Sequence, residues 1–233
     1  MSEHIKRGTL ALVGSGEYLP LMEPVDRLLL DRVGGGPRVV CLPTAAGNED
    51  AESVAKWSRM GVEHFTRLGA KVESVEVIDR KTADDDTFAE RIRAANFVYL
   101  SGGLPAYLYK SLADTKAWAA ITGVLEDGGV VAGCSAGAMI FGSHTFTFPT
   151  LWPLRPVFNV LPGVVMPHYD EIGKNLRRLI KFAVGRRTLV GVEGNTALVC
   201  NDSTYTVVGT GGVTVWNDAR QSRHTNGETV SLS

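Results

Sequence analysis

The run Gly133-Cys134-Ser135-Ala136-Gly137 sets a cysteine and a serine side by side between glycines. Either side chain is a nucleophile once a bend holds it and a base serves it, so the first question is which of the two the bend presents. The run satisfies G-x-S-x-G, with an apolar stretch before it and a helix-forming stretch after it. A nucleophile on a tight strand-to-helix turn adopts a strained backbone, and small residues two positions to either side let the chain pass. Centred on Cys134 those positions are Ala132 and Ala136; centred on Ser135 both are glycine. Ser135 is therefore the expected nucleophile, and Cys134 is expected to point into the core as a small hydrophobe.

A serine hydroxyl is inert at neutral pH unless a base takes its proton and donors receive the developing oxyanion. The backbone N–H of Ala136 is one expected donor, and that of Gly102 or Gly103, after the apolar run 97–100, is the second. Five histidines compete for the base. His4 is near the terminus, His64 lies within an amphipathic run, His144 follows the elbow too closely, and His224 sits in a polar tail. His168, in "VLPGVVMPHYDE", stands where a strand should end and a helix begin, and is the expected general base. No Asp or Glu occurs between Ser135 and His168, so the orienting acid should follow the histidine. Asp170 reads as an N-cap and Glu171 as a first-turn acid of a helix beginning near Ile172. Glu193 has no such structural reason and is preferred, with Asp170 as the alternative.

These residues need a scaffold that brings strand ends to one rim. Apolar, β-branched runs alternate with runs of helical period, the pattern of a parallel sheet covered by helices. Strands are expected at 10–13, 38–42, 71–77, 97–100, 130–132, 160–165 and 189–192. The stripes Val54, Trp57, Phe65, Leu68 and Ile172, Leu176, Leu179, Ile180, Ala183 predict two helices whose apolar faces pack on the core. Past Gly191, short strands at 197–200, 204–208 and 213–216 predict an antiparallel edge, and the tail 218–233 should be loosely held. The expected fold is α/β: three-layered, doubly wound and mainly parallel, in a single domain spanning 1–233. In such sheets ligands bind outside the carboxyl ends of the strands, where the glycine-rich turns at 14–16, 102–103, 133–137 and 193–194 would meet.

Taken together, "LVGSGEY", "VVCLPTAAGNED", "FVYLSGGLPAYL", "AGCSAGAM", "VVMPHYDE" and "LVGVEGNTALV" resemble the family of serine peptidases that contains peptidase E and cyanophycinase, on the class I glutamine amidotransferase-like fold. The resemblance covers most of the chain. It implies Ser135 as nucleophile, His168 as base, Glu193 as acid, and Gly103 and Ala136 as the oxyanion hole. It also implies cleavage of an aspartyl or isoaspartyl amide bond in a small peptide, without cofactor or metal. The chain lacks peptidase E's aspartate between serine and histidine, so the cyanophycinase-like order fits better. Leu104-Pro105 stand where those relatives carry a polar side chain. Gly102, Leu104, Pro105 and Asn195 are the expected substrate-binding residues. Lys174, Arg177, Arg178 and Lys181 form a basic helix face suited to an acidic substrate, or simply to water.

With 44% hydrophobic residues and a formal net charge of -1, the chain is ordinary globular material with no electrostatic case for nucleic acid or an anionic membrane. The first apolar run stops within about five residues, short of a secretory segment, and no run approaches the roughly 18 needed to span a bilayer. Three widely spaced cysteines suit reduced thiols. A cytoplasmic protein is expected, and a homo-oligomer is compatible with it. Three rival readings remain: an α/β-hydrolase-type esterase using Ser135, Asp202 or Asp218, and His224; a cysteine glutaminase, disfavoured by the register at Cys134; and a non-catalytic binding domain on the same fold. The loop 146–159, rich in aromatics and prolines, is a candidate wall of the site.

Overall fold

The computed structural model describes residues 8–147, 151–202, 204–218 and 220–232. His4 and positions 148–150 of the candidate loop lie outside them. The first half of the chain forms β1 (Thr9–Val13), α1 (Glu23–Leu30), β2 (Arg38–Leu42), α2 (Ala51–Arg67), β3 (Lys71–Ser74), α3 (Arg80–Ala83), α4 (Asp86–Arg93), β4 (Phe97–Leu100), α5 (Pro105–Leu112), α6 (Lys116–Glu126) and β5 (Val130–Cys134). The second half forms α7 (Ala136–Met139), β6 (His144–Thr145), β7 (Arg155–Pro156), β8 (Val164–Met166), α8 (Lys174–Val184), β9 (Leu189–Val192), β10 (Thr196–Asn201), β11 (Thr204–Gly209), β12 (Gly212–Asn217), β13 (Arg220–Thr225) and β14 (Thr229–Val230).

The main sheet has the order β14-β11-β10-β1-β5-β4-β2-β3. Strands β1, β5, β4, β2 and β3 run parallel, and β10 pairs antiparallel with β1. Leu10 and Leu12 enter one apolar cluster and Ala11 and Val13 the other, so β1 is buried on both faces, as a parallel strand flanked by helices must be. The α/β class and the mainly parallel sheet are as the alternating runs predict.

Three expectations need correction. First, β8 and β9 do not extend the main sheet. They belong to a second sheet of order β13-β12-β9-β8-β6-β7, because the open edge of β1 is taken by the antiparallel β10. The strand expected at 160–165 starts only at Val164; Gly163 takes φ +99 with its backbone packed against the Thr188 carbonyl, a bend at which a side chain would be strained.

Second, the polar tail is not loose. β13 pairs along its length with β12, β14 pairs with β11, and Val230 and Leu232 are buried. Polar side chains mark β13 as a solvated edge, which hydropathy alone does not distinguish from a loop.

Third, α8 begins at Lys174, and of the stripe expected in the core only Ile180 is buried, while Leu176 and Leu179 are exposed. By contrast α2 starts where expected, with the Asp50 carboxylate accepting from the Ser53 amide at 2.8 Å. Among the described residues no helix is long and apolar enough to cross a membrane.

Candidate active site

The elbow forms where β5 ends. The amide of Ser135 still donates to the Val13 carbonyl at 3.0 Å, the last ladder contact before the turn. Ser135 then takes φ 52 and ψ -110, a sparsely populated conformation for a residue with a side chain. Its neighbours explain why the turn closes. A Cβ on Gly133 would lie 2.4 Å from the Gly137 carbonyl oxygen, and one on Gly137 would lie 2.6 Å from that of Leu100. Both flanks therefore require glycine, the register from which Ser135 was chosen over Cys134.

Cys134 points the other way. Its thiol donates to Glu17 Oε2 at 3.0 Å, while Glu17 Oε1 accepts the Gly102 amide, also at 3.0 Å. Burial first, and the Glu17 charge second, push the Cys134 thiol well above its ordinary range, so it is a poor source of thiolate. Cys41, Cys134 and Cys200 are all buried and none forms a disulfide. Glu17 was not singled out by sequence reasoning. Its one legible signal is position, directly after the Gly14-Ser15-Gly16 turn that follows β1.

This buried carboxylate also separates the two glycines left open as oxyanion donors. The Gly102 amide is taken by Glu17. The amides of Gly103 and Ala136 have no hydrogen-bond partner among the described residues. Gly103, at φ +145, lies so near the Ala45 carbonyl that a Cβ would come within 2.4 Å of its oxygen.

His168 is carried on the turn after β8, with φ 52. Its neighbour Tyr169 anchors that turn: the ring is buried over Gly191, the hydroxyl accepts from Trp216 Nε1 at 2.8 Å, and the amide donates to the Val192 carbonyl at 3.1 Å. From there His168 Nε2 meets Ser135 Oγ at 3.0 Å. Its Nδ1 faces Glu171 Oε1 at 3.3 Å. A carboxylate only accepts, so Nδ1 carries the proton and Nε2 is left to accept from the serine hydroxyl.

Glu193 does not reach His168. Its two oxygens are held by Arg223 at 2.7 and 2.6 Å, and that guanidinium holds the carboxyl below its ordinary range. Arg223 comes from β13, the strand that the polar tail hides. Asp170, the alternative acid, instead accepts the Gly194 amide at 2.7 Å. The acid beside the imidazole is Glu171, reached through a turn in which its amide donates to the His168 carbonyl at 3.1 Å. The sequence pattern places Glu171 at a helix start, but α8 begins three residues later.

Beside Ser135 lies a hollow of about 380 Å³, lined by Gly103, Leu104, Pro105, Ala136 and His168 together with methionine, leucine and isoleucine side chains. Gly102 adjoins Ser135 without lining the hollow, and Asn195 sits away from it, its side-chain oxygen packed against Gly16. Among the described residues of the candidate loop, Leu151 is the one at the site. None of Lys174, Arg177, Arg178 and Lys181 lines it. The esterase arrangement is not formed, since His224 Nε2 bonds Ser222 Oγ at 3.0 Å while Ser135 bonds His168. No cluster of three or more metal-ligating side chains occurs among the described residues.

The sequence profile of peptidase family S51 matches residues 10–208. Cyanophycinase from Trichormus variabilis is 25% identical over 228 residues, covering 92% of this chain and 75% of its own length. Cyanophycinase from Geminocystis herdmanii is 22% identical over 244 residues, covering 99% and 88%. Among solved structures, a peptidase from an acI-B1 actinobacterium superposes with a TM-score of 0.87 at 31% identity over 98% of each chain.

Proposed function

The chain belongs to peptidase family S51, and from that premise we propose that it is a serine hydrolase that cleaves an amide bond of a small peptide through an acyl-enzyme on Ser135. The observation that carries this reading is the 3.0 Å contact between Ser135 Oγ and His168 Nε2, made at a strained elbow that opens into a hollow. The hydroxyl proton passes to Nε2 as Oγ bonds the substrate carbonyl carbon. The oxyanion so formed is received by the amides of Gly103 and Ala136. His168 returns the proton to the amine as the C–N bond breaks, leaving an ester on Ser135. Water then attacks that ester with His168 again as base, releasing the acid and the free hydroxyl. Glu171, in place of Glu193, holds the imidazole tautomer through Nδ1–H. No metal or organic cofactor takes part in these steps.

The aspartyl or isoaspartyl side chain implied by the family resemblance meets no lysine or arginine among the described residues that line the hollow, so the geometry supports the reaction class more than that substrate. The buried thiols suit work in a reducing cytoplasm. The test is labelling by a small alkyl fluorophosphonate followed by peptide mapping. Modification at Ser135, absent in Ser135→Ala and slowed in His168→Ala, is the expected result. A folded protein that neither labels nor hydrolyses any small peptide would instead be a binding domain on the same fold.

A further inference from the structure

We infer that the hollow beside Ser135 is a pocket for a large apolar side chain, and that the preferred substrate is a small peptide whose scissile carbonyl belongs to a residue such as leucine or methionine. The inference rests on the reading of Ser135 as nucleophile, and it departs from the acidic side chain implied by the family resemblance.

Four features support it. Around the position of the carbonyl, the walls are Leu104, Met139, Met166, Ile172 and Leu176, and His168 is the one ionisable residue among the described residues of the lining. Two cations of α8 are committed elsewhere: Arg177 donates to the carbonyls of Ile172 and Asp170 with its guanidinium 4.5 Å from the Tyr169 ring centre, and Lys181 donates to those of Gly185 and Arg187; Lys174 and Arg178 do not line the hollow. A carboxylate placed here would lose water and gain no partner, which is the costly case for a buried charge.

Leu104 and Leu176, by contrast, are 48% and 44% exposed at the edge of a concave site, so an apolar side chain between them removes their surface from water together with its own. The volume of about 380 Å³ is in the range of small-ligand sites, and two methionines in the wall let it adapt to branched or linear side chains. Of the stripe that the periodicity assigns to the core, Ile180 is buried there, while the exposed Leu176 and the partly buried Ile172 are left on the side of the hollow, where a ligand would cover them.

The experiment compares diphenyl phosphonate analogues of leucine and aspartate. Each phosphonylates the serine with loss of phenol, and the second-order rate of Ser135 modification is read by mass. The leucine reagent should react at least roughly tenfold faster, the discrimination expected of a hydrophobic pocket. Leu176→Arg, at an exposed position that tolerates charge, should narrow or invert that ratio. Equal or faster reaction of the aspartate reagent overturns the pocket while leaving Ser135 as nucleophile. So does labelling by the small fluorophosphonate with no reaction of either analogue. Absence of labelling by all three removes the hydrolase reading itself.

Discussion

Two imidazoles in this molecule each face a carboxylate, and they have opposite fates. His64 and Asp26 are 1% and 0% exposed, with Nε2 and Oδ2 2.8 Å apart. His168 and Glu171 are 41% and 65% exposed, with Nδ1 and Oε1 3.3 Å apart. In the first pair Arg67 donates to Nδ1 at 3.1 Å, and since a guanidinium has only donors, Nε2 must carry the proton given to Asp26. Both ring nitrogens are thus consumed by fixed partners, and the ring packs edge-on to Phe65 at 5.0 Å. In the second pair the tautomer is reversed, and the accepting nitrogen looks at a hydroxyl beside a hollow. A short, dry contact makes a strut. A longer, wetter one leaves a nitrogen facing a hydroxyl.

The sharpest way to break this contrast is to exchange the losses. His168→Ala should slow modification of Ser135, and any peptide hydrolysis, by roughly 10⁴-fold or more, as loss of a catalytic base does. His64→Ala should leave the rate per folded molecule nearly unchanged, which active-site titration alongside the kinetics checks.

Stability should report the reverse. Removing His64 leaves the Asp26 carboxylate buried, with Oδ1 already lacking a hydrogen-bond partner. Burial has already pushed that carboxyl above its ordinary range despite the His64 hydrogen bond. A loss of about 3 kcal/mol or more is expected from urea midpoints, the cost of breaking a buried pair from one side. His168→Ala should cost under about 1 kcal/mol.

Glu171→Gln keeps an acceptor near Nδ1 and removes only an exposed charge, so activity should fall by about tenfold or less. Glu193→Gln should change activity still less, because its carboxylate is bound to Arg223. If Glu193→Gln proves the more damaging of the two, Glu171 loses its place beside the base.

The smallest effect is a pH dependence at Glu193. Its folded value lies below the unfolded one, chiefly through the Arg223 hydrogen bond. The pair therefore stabilises the fold above the ordinary carboxylate range, near about 4.3, and that contribution drains away as pH falls through the lower folded value. Arg223 is half exposed, so the total should stay under about 1 kcal/mol. Urea titrations between pH 3 and 6 should show a flatter acid limb in Glu193→Gln.

What could be read from the chain, and what could not, divides by the range of the interactions. The elbow was legible because its glycines are a local steric demand, and the position of His168 followed from topology, since parallel strand ends converge. The carboxylate that meets His168 was not legible. Glu193 lies on the expected rim, but its partner comes from β13, an edge strand with polar side chains on both faces and no periodicity to reveal it. Glu171 was visible as a residue and hidden as a neighbour, because the turn from His168 displaces the start of α8 to Lys174. The α8 stripe packs in the core only in part, Ile180 inside and Leu176 and Leu179 exposed, since periodicity marks an apolar face without saying what covers each position. Glu17 contacts Gly102 and Cys134 across 85 and 117 positions of sequence, a separation at which no local pattern operates.

The packing of the three cysteines has a practical side. Burial pushes the Cys41 thiol up to about 12 and disfavours the thiolate of Cys134 in the same direction, so alkylating reagents should find the native protein nearly silent. Among the described residues, Ser135→Cys would then install the one thiol that reaches the hollow. Against so quiet a background, maleimides or disulfide-tethered fragments could be screened for whatever settles there, with intact-protein mass as the only readout required.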